Sequence, residues 1–72
     1  MVRKELKMLR IQHDLTQEQL SEKIGISKGA YSLIEQGKRV GSDKTWLKIQ
    51  EIFNLTGEQV WALKSQKISN KE

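Results

Sequence analysis

The side chains of this chain that could carry chemistry are basic rather than nucleophilic or metal-ligating. His13 is the only histidine and no cysteine accompanies it, whereas a zinc site needs three or four converging ligands. A solvent-facing place at a helix end, favourable when the ring is protonated, accounts for it better. Ser27 and Ser32 have no basic partner that would make either a nucleophile. Glu18 and Glu22 stand one helical turn apart with Lys23 adjoining, which a solvated face explains. No glycine-rich phosphate loop occurs. Catalysis, a bound metal and a cofactor are therefore not expected. What remains is charge: Lys and Arg number 13 against 9 Asp and Glu, a formal net charge of +4, with a pI near 9.6. That balance favours a polyanionic partner, nucleic acid first, against the alternative of a merely Lys-rich solvated surface.

A chain of 72 residues allows one domain with a small core. Without cysteine no disulfide supplements it. The 36% hydrophobic and 31% charged content fits a folded chain rather than a disordered one. No apolar run is long enough for a membrane span. Met1, Val2, Arg3 and Lys4 lead directly into charged sequence, so no signal peptide is expected and an intracellular place is.

The chain contains no proline, and its five glycines are spread out, which predicts helices joined by short turns. Leu6, Leu9 and Ile11 fall near helical spacing, with Arg3, Lys4, Lys7 and Arg10 on the other side, predicting a first helix from about Arg3 to His13. Asp14 and Leu15 form the turn. Thr16 to Gln19 reads as a capping box opening a second helix, whose stripe is Leu20 and Ile24 and whose stop is Gly25. Ser27 can cap a third helix running to about Gln36, with Ala30, Tyr31 and Ile34 facing inward and Gly37 as its stop. Two short helices around a three-residue glycine-containing turn make a helix-turn-helix pattern.

After a polar loop from Lys38 to Gly41, Ser42 caps a fourth helix carrying Trp46, Leu47, Ile49, Ile52 and Phe53 and ending near Asn54. Thr56 to Gln59 repeats the capping box, and Val60, Trp61 and Leu63 mark a short fifth helix. The expected organisation is an all-α, five-helix bundle over 1–64 with a flexible polar tail over 65–72.

The stretches LTQEQLSEKIGIS (15–27) and YSLIEQGKR (31–39), continued by TWLKI (45–49), resemble the Cro/C1-type (XRE) helix-turn-helix family. The resemblance covers roughly Leu6 to Leu63, and its markers are specific as an ordered set. It implies the fold of lambda-repressor-like DNA-binding domains and double-stranded DNA as partner. Within the family the chain is similar to small, Cro-like modulators of repression from temperate lactococcal phages, which act together with the phage repressor in the cytoplasm of the bacterial host. That likeness implies a role in the lytic/lysogenic genetic switch.

By position, the resemblance implies that the third helix lies in the major groove with Lys28, Gly29, Ser32 and Leu33 facing the bases. Gln17, at the start of the second helix, would contact phosphate through its side chain and the helix N-terminus. Ser27, Lys38 and Arg39 would add backbone contacts, with Arg10 a weaker candidate. Glu35 is expected to tie the third helix to its neighbours rather than touch DNA. Lys28 can donate to guanine and Ser32 can contact most bases, but Gly29 offers no donor and Leu33 offers only apolar contact to a thymine methyl.

The family usually carries polar or charged groups at these last two positions, so this surface could read bases poorly. Gly29 beside Leu33 makes a flat apolar spot, suited to another protein surface as well as to DNA; a scattered surface leucine is the plainer account. Trp46 and Trp61 both sit at helical spacing with other apolar residues, so core packing is the first expectation for at least one of them. Trp61 alternatively forms a self-association or partner patch, a use family dimers make of this region. Two functions stay open: a self-sufficient dimeric repressor reading a short operator through helix three, and a modulator acting through contact with a repressor. Neither involves a membrane or a small-molecule substrate.

Overall fold

Side-chain caps set where the helices begin. The structure, a computed structural model, describes residues 3–65 and comprises α1 (Lys4–Gln12), α2 (Gln17–Ile24), α3 (Lys28–Glu35), α4 (Asp43–Phe53) and α5 (Gly57–Lys64), with no strand among the described residues. Both expected capping boxes form: Thr16 and Thr56 each accept the amide three residues on, and Gln19 and Gln59 accept the cap amide in return. Ser27 and Ser42 cap α3 and α4 by accepting the Ala30 and Thr45 amides. Each such cap is worth about 1 kcal/mol.

The turn between α2 and α3 follows from one backbone conformation. Gly25 adopts φ of 94°, and its amide and that of Ile26 both return to the Ser21 carbonyl, at 2.8 and 3.0 Å. This closes α2 in the manner that favours glycine. Ile26 then packs onto the core, so Ser27 is delivered at once to begin α3.

Leu6, Leu20, Ile24, Tyr31, Ile34, Trp46, Ile49, Phe53 and Leu63 form one buried cluster drawn from all five helices. Burying each aliphatic member contributes about 2 kcal/mol relative to exposure. Packing pairs α1 with α3, α2 with α3 and α4, and α4 with α5, so α3 is held from two sides while its remaining face is open.

Three expectations from spacing, those for Ile11, Leu47 and Arg3, are corrected. Ile11 is 54% exposed and Leu47 60% exposed; each is rotated by about 140° or 100° from its buried neighbours Leu6 and Trp46, too far to share their face. Trp46 is buried but Trp61 is 68% exposed, because the core-facing positions of α5 are taken by Leu63 and, in part, Val60. Arg3, expected on the polar side, is 1% exposed. It precedes the first helical residue, where helical periodicity no longer assigns a face. Lys64 is the last residue of α5 and pairs with Asp43 at 3.2 Å. The tail beyond it, apart from Ser65, lies outside the described residues.

Candidate nucleic-acid interface

The outward face of α3 is built by what its inward face is tied to. Tyr31 and Ile34 enter the core, and Glu35 is buried beside them. Arg10 of α1 donates from Nε to Glu35 Oε1 at 2.9 Å and from Nη2 to Oε2 at 3.2 Å. Its Nη1 reaches the Leu15 carbonyl at 2.8 Å, closing the turn into α2. Gln17 Nε2 leans on Glu35 Oε2 at 3.4 Å.

Burial alone would raise the Glu35 carboxyl, but the hydrogen bonds and charge of Arg10 outweigh it and hold the group below the usual carboxylate range. The same bond to Glu35 raises the Arg10 guanidinium. The Tyr31 hydroxyl is enclosed beside the Glu35 carboxylate of this pair. Burial and the adjoining carboxylate push its ionisation well above the ordinary phenol range.

With α3 fixed, Ser27, Lys28 and Gly29 are exposed and Ser32 and Leu33 half-buried. Ser27 spends an acceptor lone pair on the Ala30 amide and keeps its hydroxyl proton to donate. Ser32 Oγ accepts from Gln36 Nε2 at 2.8 Å, which leaves it a donor in the same way. Gly29 faces open space: a Cβ there would meet nothing within 4 Å. Leu33 is less prominent than an exposed leucine, so the apolar spot expected beside Gly29 is smaller than the sequence suggested.

Lys38 and Arg39 are exposed just beyond the end of α3. Their amides both return to the Leu33 carbonyl, at 3.0 and 3.3 Å, which folds the loop back over the helix end. The loop is pinned further by Trp46, whose Nε1 donates to the Val40 carbonyl at 2.7 Å. Gly41 sits at φ of 91°, a backbone conformation that favours glycine, and a Cβ there would lie 2.9 Å from Ile34 Cδ1, which would have to shift. None of the described carboxylates pairs with Lys28, Lys38 or Arg39.

A shallow cleft lined by Arg10, Leu15, Thr16, Gln17, Glu18 and Lys28 lies at the N-terminus of α2. The first amides of a helix have no carbonyl to receive them and carry the positive end of its dipole. Gln17 therefore stands where expected, half-buried, with one amide proton toward Glu35 and a second left over. Arg10, the weaker candidate, is committed to Glu35 and Leu15 instead. His13 is exposed, its ring edge-on to Phe53 with centroids 4.7 Å apart and Nδ1 2.9 Å from the Leu9 carbonyl. No group of acidic, histidine or cysteine side chains among the described residues could hold a metal. None of the described helices is long and apolar enough to cross a membrane.

Sequence reasoning missed the three groups that hold the loop after α3, namely Arg3, Gly41 and the indole N–H of Trp46. Arg3 donates from Nη1 to the carbonyls of Ile34 and Arg39, at 2.6 and 2.9 Å, and reaches the end of α5 through Leu63 and Lys64. A glycine directly before a capping serine was the one available signal, for Gly41. An arginine ahead of a helix gives none.

A helix-turn-helix family model matches residues 6–60. Over 60 residues the chain is 37% identical to an uncharacterized helix-turn-helix-type transcriptional regulator of Methanocaldococcus jannaschii, an alignment spanning 83% of this chain and 91% of that protein. No solved structure gives a significant match.

Proposed function

Because this chain belongs to the XRE-type helix-turn-helix family, a class of non-enzymatic DNA-binding domains, we propose that it is a transcriptional regulator that binds double-stranded DNA with α3 in the major groove. The observation that carries this reading is the placement of free cations at both ends of one open helix face. Lys28 stands at the start of α3 and Lys38 and Arg39 in the loop after its end, all exposed and none paired with a described carboxylate. Phosphate contacts fix register and base contacts fix sequence. Gln17 and the α2 N-terminus, with Ser27, Lys38 and Arg39, supply the first kind. Lys28 and Ser32, with apolar contact from Leu33, supply the second.

The finer reading is a Cro-like modulator in a temperate-phage genetic switch, acting with the phage repressor inside the bacterial host. Two features support protein contact beside DNA contact. Gly29 and Leu33 bring little base-reading chemistry to the centre of α3, and Trp61 stands 68% exposed on α5. Large exposed aromatics are costly to leave in water and are enriched in interfaces. A homodimer through that end of the molecule would set two α3 helices roughly 34–36 Å apart, one duplex turn.

Titration of the full chain against duplex DNA from the promoter beside its gene, at two salt concentrations, with and without the neighbouring repressor, separates these readings. Salt-sensitive binding by the chain alone supports a self-sufficient repressor. No binding alone, with an altered repressor shift on mixing, supports the modulator. No effect in either arm overturns both. Leu33→Asp then tests α3 as the repressor contact, since full-strength complex formation by that variant would exclude it.

A further inference from the structure

Arg3 is a fully buried guanidinium that none of the described carboxylates neutralises. Its partners are backbone carbonyls instead. Nη1 donates to Ile34 O at 2.6 Å and Arg39 O at 2.9 Å; Nε and Nη2 donate to Leu63 O and Lys64 O, each at 3.2 Å. Its own amide donates to Glu35 O at 2.8 Å, and the guanidinium carbon lies 5.6 Å from the centre of the Trp46 ring. The last carbonyls of a helix lack intrahelical partners and carry the negative end of the dipole. Two such ends, of α3 and α5, therefore share one cation.

The geometry of the Nη1 contacts matters most. Ile34 lies inside α3 and Arg39 in the loop after it, so one nitrogen spans the exit from the helix and fixes the loop's position relative to it. Trp46, which holds the Val40 carbonyl of that loop from the other side, lies against the same guanidinium. Only a planar fork of several donors serves four carbonyls on two helices and the loop after α3; a point ammonium does not.

We propose that Arg3 is a positioning residue that sets the loop bearing Lys38 and Arg39 and yokes it to the C-terminal end of α5. The proposal rests on the DNA-binding reading for its functional meaning, since Lys38 and Arg39 are phosphate contacts in that reading. The arrangement itself is independent of it. Displacing the end of α5, one turn from the exposed Trp61, would shift the carbonyls of Leu63 and Lys64 and so disturb the same guanidinium that orders the loop.

The test is residue-resolved amide exchange of the full chain, comparing wild type with Arg3→Met and Arg3→Lys. The Lys38 and Arg39 amides, bonded to Leu33 O, report the loop, and the Ser65 amide, bonded to Trp61 O, reports α5. The Gly25 and Ile26 amides, bonded to Ser21 O, are the internal control. A positioning role predicts exchange about tenfold faster at the loop and at Ser65, with the control amides within about twofold. Uniform acceleration at all sites would make Arg3 a merely structural residue, and unchanged loop amides would remove the role altogether; either result overturns the proposal. Should Arg3→Met fail to fold, Arg3→Lys gives the same comparison with the charge retained. Wild-type chain without DNA affinity would defeat the DNA-binding reading, while the exchange result still decides the role of Arg3.

Discussion

Arg10 and Glu35 meet in a two-pronged ion pair, Nε to Oε1 at 2.9 Å and Nη2 to Oε2 at 3.2 Å, that ties α1 to the end of α3 and, through Leu15 O, to the entrance of α2. The side chains are 12% and 5% exposed, so removing one partner leaves the other charge largely cut off from bulk water. Glu35→Gln leaves Arg10 facing a neutral amide and should destabilise the fold by about 3 kcal/mol, the low end for breaking a buried pair because Arg10 keeps some solvent. Against a total of about 4–11 kcal/mol for a domain of this size, that is a large fraction. Urea unfolding followed by circular dichroism measures it. Arg10→Lys should also be costly, because one ammonium cannot replace a fork that serves both carboxylate oxygens and a carbonyl.

The same pair sets part of the acid response. The Glu35 carboxyl titrates lower in the folded chain than its unfolded value of about 4.3. The unfolded chain therefore binds that proton first as pH falls. The stabilisation is fully present above the unfolded value and is lost as pH drops through the lower folded one. The stability gap between wild type and Glu35→Gln should be constant above the unfolded value and narrow as pH falls below it, and a gap that does not narrow below that value would contradict the assignment.

Two glycines should respond in opposite directions. Gly29 sits in helical backbone with open space around it, so Gly29→Ala should stabilise the chain by roughly 0.5–1 kcal/mol and raise Tm by a few degrees. Gly41 has φ of 91°, and its Cβ would lie 2.9 Å from Ile34 Cδ1. Gly41→Ala should cost on the order of 1–3 kcal/mol. Thermal melts of the two variants side by side check both signs.

The tryptophans divide in the same way. Trp46→Ala opens the core and removes the hydrogen bond to Val40 O, at a cost of about 3–5 kcal/mol. Trp61→Ala should move stability by less than about 0.5 kcal/mol, as for most surface positions. Its fluorescence in a Trp46→Phe background should report any partner that covers α5.

Most of the fold was legible because its boundaries are written in short-range chemistry. Thr16 with Gln19, Thr56 with Gln59, Ser27, Ser42 and Gly25 each act on backbone within a few residues, so their types and order suffice to place the helices. Glu35 was legible as a tie for α3 from the resemblance, though not its partner. What could not be read depends on which helices cross. Whether Trp61 or Leu63 turns inward is decided by the angle at which α5 meets α4, and two apolar neighbours on one helix look alike in sequence. Arg3 was invisible for a different reason: its partners are carbonyls up to 61 residues away, and backbone carbonyls carry no sequence signal. Lys28 was placed at the start of the third helix and Lys38 and Arg39 in the loop after it, and the structure has Lys28 as the first residue of α3 and the other two in that loop.

The central claim is that this open face of α3 and the loop after it neutralise DNA phosphates. It is tested most directly by measuring the salt dependence of duplex binding for wild type and for Lys38→Ala/Arg39→Ala. Each phosphate contact contributes about 0.9 to the slope of log affinity against log salt. The account predicts salt-sensitive wild-type binding and a double variant that binds more weakly with a slope shallower by about 2. Equal affinity and equal slope in the two proteins would contradict it.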